Sequence, residues 1–130
     1  DSGWPLPFGS VDNRRSLISV HNLVDAIARC VERAAANGPF LVSDAEPVST
    51  PALVSGIASA LGRPPMLVRV PTTVLRAAGA LACRHDEMRR LTGNLVVDAS
   101  RAQRVLDWRP PRSLEEGLSH TARWFRTLAV

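Results

Sequence analysis

The sequence predicts a mixed α/β fold with more helix than strand. Several segments carry apolar residues at helical spacing between capping residues and glycines, a pattern typical of amphipathic helices. Between them lie short apolar runs bounded by proline or polar residues, which favour brief strands. Because these strands are too few and too short for a large sheet, we expect some of them to pack against protein that this sequence does not contain.

Length and composition indicate one modest domain over residues 1–130. An apolar fraction of 45% and a net charge of +4 argue against disorder. No apolar run approaches the roughly 20 residues of a membrane helix and no signal peptide opens the chain, so we expect a cytoplasmic protein with no membrane partner. The chain opens on Asp1 rather than methionine, and we interpret it as a fragment of a longer protein.

All 16 basic residues are arginines, since the chain contains no lysine. A nucleic-acid binder would also be basic, but these arginines are dispersed and most have acidic neighbours, which favours a solvated surface and no nucleic-acid partner. Cys30 and Cys83 form no CxxC pattern, and His21, His85 and His120 share no ligand spacing. We therefore predict buried, reduced thiols and no metal site.

An apolar arm opens the chain, and a strand and a helix follow it. Residues 16–20 alternate polar and apolar side chains, which predicts a strand. Asn22 can cap a helix that runs to about Ala36, and Gly38 is the expected stop. The apolar residues at helical spacing predict the packing face of this helix: Leu23, Val24, Ile27, Ala28 and Val31.

A strand and a second helix come next. Residues 40–43 form an apolar run that predicts a short buried strand. Ser49 or Thr50 can cap the helix behind it, with Pro51 in the first helical position. Gly62 ends that helix, whose apolar face needs a packing partner.

The middle of the chain alternates short strands with helices. Residues 66–70 predict a strand, and Pro71 begins a third helix. Residues 87–91 predict a further short helix that ends at Gly93, and residues 95–97 predict a short extended segment.

Two helices close the chain. Asp98 can cap the first of them, and Ser113 with Glu116 forms an S-x-x-E capping box for the second. Trp108, between these helices, is interpreted as a core anchor. The last helix carries its apolar face on residues at helical spacing: Leu118, Thr121, Ala122, Phe125 and Leu128.

Several motifs occur in an order that resembles a known family. They are residues 5–25, 91–95, 97–100, 106–110 and 113–118. Their order and spacing are similar to those of the NAD-dependent sugar-nucleotide epimerase/dehydratase family, the extended short-chain dehydrogenase/reductases. The resemblance implies a C-terminal substrate-binding portion, mostly helices with a few short strands, from which the Rossmann core is absent.

Arg15 is the first candidate for substrate binding because it directly precedes the strand predicted at residues 16–20. A guanidinium presents a rigid fork of donors that matches phosphate oxygens. The resemblance implies that Arg15 contacts the diphosphate of a nucleotide sugar. The residues alone leave an alternative, a surface arginine paired with Asp12 or Asp25. Arg14 is interpreted as a solvated neighbour.

The apolar arm carries two further candidates, Leu6 and Phe8. The resemblance implies that this arm holds the nucleotide base, and Phe8 offers a flat face suited to stacking on a pyrimidine. The alternative is that Phe8 anchors a hairpin to the core.

Arg89 and Arg90 precede the turn at Gly93 and Asn94. The resemblance implies a second arginine that closes over the diphosphate from the opposite side, and we favour Arg90 because residues 91–93 follow it directly. Many relatives follow this arginine with a glycine-aspartate pair whose carboxylate contacts the ribose; Asn94 stands here as a weaker substitute. Alternatively, both arginines decorate an exposed helix.

Two absences bear on the chemistry. Proton transfer in this family is done by a tyrosine with a lysine four positions later, and the sequence contains neither residue type. It also lacks a glycine-rich dinucleotide element. We therefore predict no catalytic and no cofactor-binding residue here, an isolated chain without activity, and NAD or NADP bound by a missing N-terminal Rossmann half.

The resemblance implies an enzyme as the parent protein, with 4-epimerisation of a UDP-hexose or UDP-N-acetylhexosamine as the first expectation. The alternatives are a 4-keto reductase or dehydratase of nucleotide-linked deoxysugars and a free-standing nucleotide-sugar-binding module. The partners implied are a nucleotide sugar and the missing half, and a homodimer stays open.

Overall fold

The computed structural model describes residues 5–33, 37–81 and 85–128, except for the side chains of residues 76, 78–81, 85 and 87–89. Helices make up about half of the chain and exceed the strands, which confirms the prediction of more helix than strand. Within the described ranges six helices follow one another: α1 (Val20–Glu32), α2 (Thr50–Ala60), α3 (Thr72–Leu81), α4 (His85–Thr92), α5 (Ser100–Val105) and α6 (Leu114–Leu128).

The strand-like segments form no sheet in the described ranges, where they meet at isolated bridges. Leu6 pairs with Leu67, and Arg15 pairs with both Val48 and Leu95. Residues 40–43, predicted as a strand, are irregular, and the segment at residues 16–20 is irregular until Val20 begins α1. A backbone hydrogen bond of 2.7 Å from the amide of Asp44 to the carbonyl of Leu17 connects them. The strands predicted at residues 66–70 and 95–97 are therefore reduced to single bridges at Leu67 and Leu95, and those predicted at residues 16–20 and 40–43 are wrong, because the extended segments are too short to form ladders.

Contacts divide the chain into two compact units, each assembled from two stretches of sequence. The first unit contains Asp1–Arg15 and Val48–Leu95, and the second contains Ser16–Pro47 and Val96–Val130. The first therefore holds α2, α3 and α4, with α3 packed against α4. The second holds α1, α5 and α6.

In the first unit, α2 begins and ends as the sequence predicts. The Oγ of Ser49 accepts a hydrogen bond from the amide of Ala52, and proline stands in the first turn. Gly62 has a φ of +69°, and its amide donates to the carbonyl of Ser59. A left-handed residue just beyond a helix is favourable for glycine because it has no Cβ.

In the second unit, a small core surrounds Trp108, which is buried as the sequence predicts. Ala26, Ala102 and Leu106 complete the buried cluster, so the partners come from α1 as well as from α5. The indole Nε1 donates a 2.7 Å hydrogen bond to a carboxylate oxygen of Asp25. Partly buried apolar side chains close the cluster: Ile18, Cys30, Phe40 and Val42.

Cys30 is a free cysteine and is half-buried, whereas Cys83 lies outside the described residues. Within the described ranges, no helix combines the length and the apolarity needed to cross a membrane.

The start of α1 differs from the sequence-based prediction. Ser19, not Asn22, is the N-cap, and its Oγ accepts from the amide of Asn22 at 3.3 Å. The helix ends at Glu32, four residues before the predicted end at Ala36, which lies outside the described residues. Because Ser19 starts the helix three residues earlier, Asn22 is not needed as a cap, and its side chain is buried instead.

The cap of α5 also differs from the prediction. Ala99 occupies the N-cap position and makes no side-chain cap bond. Asp98, the predicted N-cap, lies one residue before the observed one. Its carboxylate accepts a 2.9 Å hydrogen bond from the amide of Ser100. The capping box of α6 is confirmed: the amide of Ser113 donates to Glu116 at 2.7 Å, and the amide of Glu116 donates to the Oγ of Ser113 at 3.2 Å.

Helix α6 approaches the N-cap of α1 closely at Gly117. A Cβ on this buried glycine would stand 2.9 Å from the Cβ of Ser19. We expect Gly117→Ala to lower the free energy of unfolding by about 1–2 kcal/mol, because overpacking outweighs the ~1 kcal/mol gain in helix propensity. Urea denaturation would measure it, with Ser119→Ala on the same helix as the control. A stabilised Gly117→Ala variant would show that the two elements do not touch there.

The histidine pair of the second unit predicts a loss of stability in acid. The rings of His21 and His120 have centroids 4.3 Å apart. Partial desolvation, followed by the charges of His21, Arg123 and Arg112, lowers the pKa of His120 below its ordinary value of 6.5. The unfolded chain therefore takes up this proton first as the pH falls through 6.5, so that stability decreases from that point until the folded-state pKa is passed. Melting temperatures between pH 7.5 and 5 should fall less for His120→Gln than for the wild type; parallel curves would contradict the assignment.

Candidate substrate-binding site

Three segments of the first unit meet where the sequence places its arginine candidates. Arg15 and Val48 exchange two backbone hydrogen bonds of 2.9 and 2.8 Å, and the amide of Leu95 donates to the carbonyl of Arg14 at 2.9 Å. We call this meeting of residues 13–15, 48–50 and 90–95 the three-segment junction. It fixes the backbone on both sides of Arg15.

A buried asparagine holds the three-segment junction together. Asn13 is 1% exposed, and its Nδ2 lies within hydrogen-bond distance of Thr50 Oγ1 (3.0 Å) and of the carbonyls of Leu91 and Gly93 (3.2 Å each). Its Oδ1 accepts from the amide of Thr50 at 2.8 Å. Thr50 Oγ1 in turn donates to the Leu91 carbonyl at 3.0 Å. One amide therefore serves partners from two distant segments.

Sequence reasoning missed Asn13, which it treated as part of a polar loop. No periodicity marks a loop residue, and the nearest side-chain partner, Thr50, is 37 positions away. A fully buried amide needs all its hydrogen bonds satisfied, but that requirement becomes visible only when the distant segments are in place.

Arg15 is half-buried and points to the end of α4. Its Nη1 donates a 2.6 Å hydrogen bond to the carbonyl of Arg90, which lies in the last turn of that helix. The last carbonyls of a helix have no partner inside it and carry partial negative charge, so a cation there is stabilising. Arg15 therefore has a structural role, and this bond uses one of the five N–H donors of its guanidinium.

The structure brings three of the candidates together at the junction. Arg15 contacts the backbone of Arg90, and Asn94 accepts at its Oδ1 a 2.8 Å hydrogen bond from the amide of Arg14. The side chains of Arg14, Arg90 and Asn94 are exposed, which agrees with the interpretation of Arg14 as a solvated neighbour. The side chain of Arg89 lies outside the described residues.

The other two candidates, Leu6 and Phe8, lie on an arm held by a second backbone pairing. The amide of Leu6 donates to the carbonyl of Met66 at 2.8 Å, and the amide of Val68 donates back to Leu6 at 2.9 Å. Leu6 is 41% exposed and Phe8 is half-buried. A fixed backbone with a partly exposed ring is suited to a planar ligand.

A glycine permits the arm to approach its partner. The amide of Gly9 donates to the carbonyl of Val68 at 3.0 Å, and a Cβ on Gly9 would stand 2.9 Å from that oxygen. Any other residue would push the arm away from residues 66–68. The predicted glycine loop after the arm therefore has a steric reason.

The arrangement places positive charge where an anion could bind. Arg15 and Arg90 provide two cations from two segments of one unit, which suits an anionic ligand. The sequence contains no tyrosine and no lysine, and in the described part of the chain no three His, Cys, Asp or Glu side chains gather as a metal site. The roles assigned to the six candidates stay predictions.

Comparison with known proteins gives the chain two curated relatives, each named UDP-glucose 4-epimerase. The chain is 46% identical over 125 residues to the protein from Vibrio cholerae, a match that takes in 95% of this chain and 38% of that protein. It is 30% identical over 119 residues to the protein from Mycolicibacterium smegmatis, with 92% and 33% covered. No protein-family model and no solved structure matches the chain. The resemblance seen in the sequence is confirmed, and the chain spans less than two fifths of these relatives.

The hydrogen bonds of the three-segment junction predict a large loss of stability when the Asn13 amide is removed. We expect Asn13→Ala to lower the free energy of unfolding by about 2–3 kcal/mol, because the amide of Thr50 and the carbonyl of Gly93 lose this partner and the carbonyl of Leu91 keeps only the Thr50 hydroxyl. Asn13→Asp should lower the free energy of unfolding by at least as much at pH 7, because a carboxylate oxygen, which cannot donate a hydrogen bond, would then face the carbonyls of Leu91 and Gly93. Urea denaturation would measure both, with the exposed Gln103→Ala as control. A loss below 0.5 kcal/mol, taken as roughly the effect of an ordinary surface substitution, would contradict this account.

Proposed function

We propose that this chain is the nucleotide-sugar-binding portion of an NAD(P)-dependent UDP-hexose 4-epimerase. The observation that carries the proposal is the 46% identity over 95% of the chain to a protein named UDP-glucose 4-epimerase. A match over 95% of the chain takes in the three-segment junction. The geometry adds support, because the candidate arginines lie in one unit on a backbone that buried hydrogen bonds hold rigid.

In this proposal Arg15 binds the diphosphate of the nucleotide sugar. One N–H of its guanidinium is held by the Arg90 carbonyl, which fixes the orientation of the planar group and leaves donors on its other edges for phosphate oxygens. The positioning bond lowers the entropy lost when the ligand binds. The Arg90 side chain, exposed at the same junction, supplies the second cation.

The arm binds the base of the same ligand. Phe8 offers its ring face and Leu6 its partly exposed side chain, while the backbone pairing with residues 66–68 keeps both in place. Asn94, with its Oδ1 engaged by the Arg14 amide, keeps its NH₂ group for the ribose. Binding energy from base and diphosphate would position the sugar for reaction in the complete enzyme.

The chemistry itself belongs to the rest of the parent protein. A nicotinamide cofactor, when bound there, supplies the removal and return of hydride at C4 of the sugar. This chain has no glycine-rich dinucleotide element and no tyrosine–lysine pair, so its residues fit a substrate-binding role and not a cofactor site. Its own contribution is to bind, orient and neutralise the diphosphate.

The test uses a chimera in which this chain replaces the matched region of the Vibrio cholerae relative. We expect Arg15→Ala to raise the KM for UDP-glucose about 10- to 100-fold, because a charge-assisted phosphate contact is worth about 1.5–3 kcal/mol. Arg15→Lys should keep the charge at the end of α4 and still raise KM, since it loses the fork. The measurement is steady-state epimerisation with melting temperature recorded in parallel.

Arg14→Ala is the matched control, because it removes an exposed neighbouring arginine. An unchanged KM in a normally folded Arg15→Ala chimera would remove Arg15 from the site. Calorimetry with UDP on the isolated chain separates the remaining alternative: micromolar binding would indicate a free-standing nucleotide-sugar module, whereas an incomplete site should bind weakly.

A further inference from the structure

The end of α4 is held by side chains that come from outside the helix. The carbonyl of Arg90 accepts a 2.6 Å hydrogen bond from Nη1 of Arg15. The next carbonyl, that of Leu91, accepts from Nδ2 of Asn13 at 3.2 Å and from Oγ1 of Thr50 at 3.0 Å. The last carbonyls of a helix have no partner inside it. Side chains from two distant segments therefore satisfy successive carbonyls in the last turn of α4.

The hydroxyl of Thr50 serves α4 rather than its own helix. The sequence offers either Ser49 or Thr50 as the cap of α2, and in the structure the Oγ of Ser49 accepts from the amide of Ala52. Thr50 is 7% exposed, and its hydroxyl donates to the Leu91 carbonyl, 41 positions away in the sequence. Its side chain therefore connects the start of α2 to the end of α4.

The same hydroxyl completes the hydrogen bonds of Asn13. Nδ2 of Asn13 has two N–H groups and lies within reach of three oxygens, Thr50 Oγ1 and the carbonyls of Leu91 and Gly93. A hydroxyl can accept one hydrogen bond while it donates another, so Thr50 accepts from Asn13 and donates to Leu91. Oδ1 of Asn13 accepts from the Thr50 amide in return. We call these two side chains the Asn13–Thr50 pair.

The Asn13–Thr50 pair lies on the two segments that position Arg15. Asn13 stands two residues before Arg15, and Thr50 stands two residues after Val48, whose backbone exchanges hydrogen bonds of 2.9 and 2.8 Å with Arg15. The guanidinium of Arg15 binds the carbonyl next to the one that the pair holds. The pair therefore fixes both the backbone near Arg15 and the end of the helix to which its guanidinium is bound.

This arrangement bears on ligand affinity as well as on stability. Arg15 is half-buried, and an arginine that is not held samples many rotamers, which must be given up when it binds an anion. If the end of α4 moved, the bond between Arg15 and the Arg90 carbonyl would be lost and the guanidinium would be released. Side chains that never touch the ligand can in this way contribute to its binding.

We propose that Asn13 and Thr50 are positioning residues for the anion-binding guanidinium of Arg15 and act through the end of α4. The inference rests on the proposed function for the identity of the anion, the diphosphate of a nucleotide sugar. The ordering of the Arg15 side chain does not depend on that identity. Ordering and substrate affinity are therefore measured separately.

The first experiment measures side-chain order in the isolated 130-residue chain. Thr50→Val keeps the shape of the side chain and removes the hydroxyl, whereas Thr50→Ser keeps the hydroxyl. The readout is the ¹H–¹⁵N heteronuclear NOE of the Arg15 Nε–H group, which reports motion on the picosecond to nanosecond timescale. The signal is assigned by its disappearance in Arg15→Lys.

We expect a high NOE for Arg15 in the wild type and in Thr50→Ser, and in Thr50→Val a value as low as that of the exposed Arg14. An Arg15 side chain that stays ordered in Thr50→Val would overturn the proposal. Loss of order in Thr50→Ser to the same extent would overturn it as well, because the effect would then come from packing and not from the hydroxyl.

The second experiment measures steady-state epimerisation of UDP-glucose by the chimera described above. Thr50→Val should raise KM about 3- to 10-fold and leave kcat within about twofold, because the reaction does not change the diphosphate and its binding is uniform. Thr50→Ser should restore KM. Gly117→Ala is the control for stability alone, since it disturbs the second unit and should leave KM unchanged; a similar rise in KM there would overturn the proposal.

A double-mutant cycle separates positioning from a general loss of stability. In an Arg15→Ala background, Thr50→Val should change KM by less than about twofold, because the guanidinium that it positions is gone. The same fold-change in both backgrounds would overturn the proposal. If Thr50→Val releases the Arg15 side chain but Arg15→Ala leaves KM unchanged, the positioning role stands and the result counts against the proposed function instead.

Discussion

A chain with so little sheet must satisfy the polar backbone of its loops by other means, and the structure depends on this constraint. Buried N–H and C=O groups are costly when left unpaired. In the first unit Asn13 serves backbone groups of Thr50, Leu91 and Gly93. In the second unit Asn22 exchanges hydrogen bonds of 2.9 and 3.1 Å with the backbone of Arg112 and donates to Asp44 at 2.6 Å. A side-chain amide carries an acceptor oxygen and two N–H donors. Each asparagine therefore makes hydrogen bonds to backbone groups that a neighbouring β-strand would otherwise make.

The same constraint explains why the candidate site is rigid. Residues 13–15 are held by Asn13 and by backbone pairing with Val48 and Leu95, so the Arg15 side chain starts from a fixed position. Its bond to the Arg90 carbonyl then gives Arg15 a structural role beside the proposed one. The two roles do not compete, because a guanidinium has donors on more than one edge. The bond to the end of α4 holds the guanidinium of Arg15 in one orientation. A group that is already oriented loses less entropy when it binds a ligand such as a diphosphate.

Local signals predicted the parts of the fold that depend on neighbouring residues. The cap and stop of α2, the capping box of α6 and the burial of Trp108 are all encoded within a few positions, and the structure confirms them. The hydrogen bonds of Asn13 and Asn22 span up to 90 positions, and no periodic pattern reports such contacts. For Asn22 the local signal was misleading, since asparagine is also a good cap and Ser19 took that position. The candidates Arg15, Arg90 and Asn94 were found through family resemblance, whereas the asparagine that holds them was not.

Helix α1 shows why hydrophobic pattern and burial can disagree within one chain. Pattern predicts one packing face for this helix, with Leu23, Val24, Ile27, Ala28 and Val31 at helical spacing. The structure of the second unit shows the opposite face covered, with Asn22, Asp25 and Ala26 directed inwards by specific hydrogen bonds and by small size. The pattern and the burial disagree because the hydrogen bonds of Asn22 and Asp25 are specific in direction, whereas apolar burial is not. The hydrogen-bonded face fixes the rotation of the helix, and that rotation leaves Val24, Ile27 and Val31 exposed.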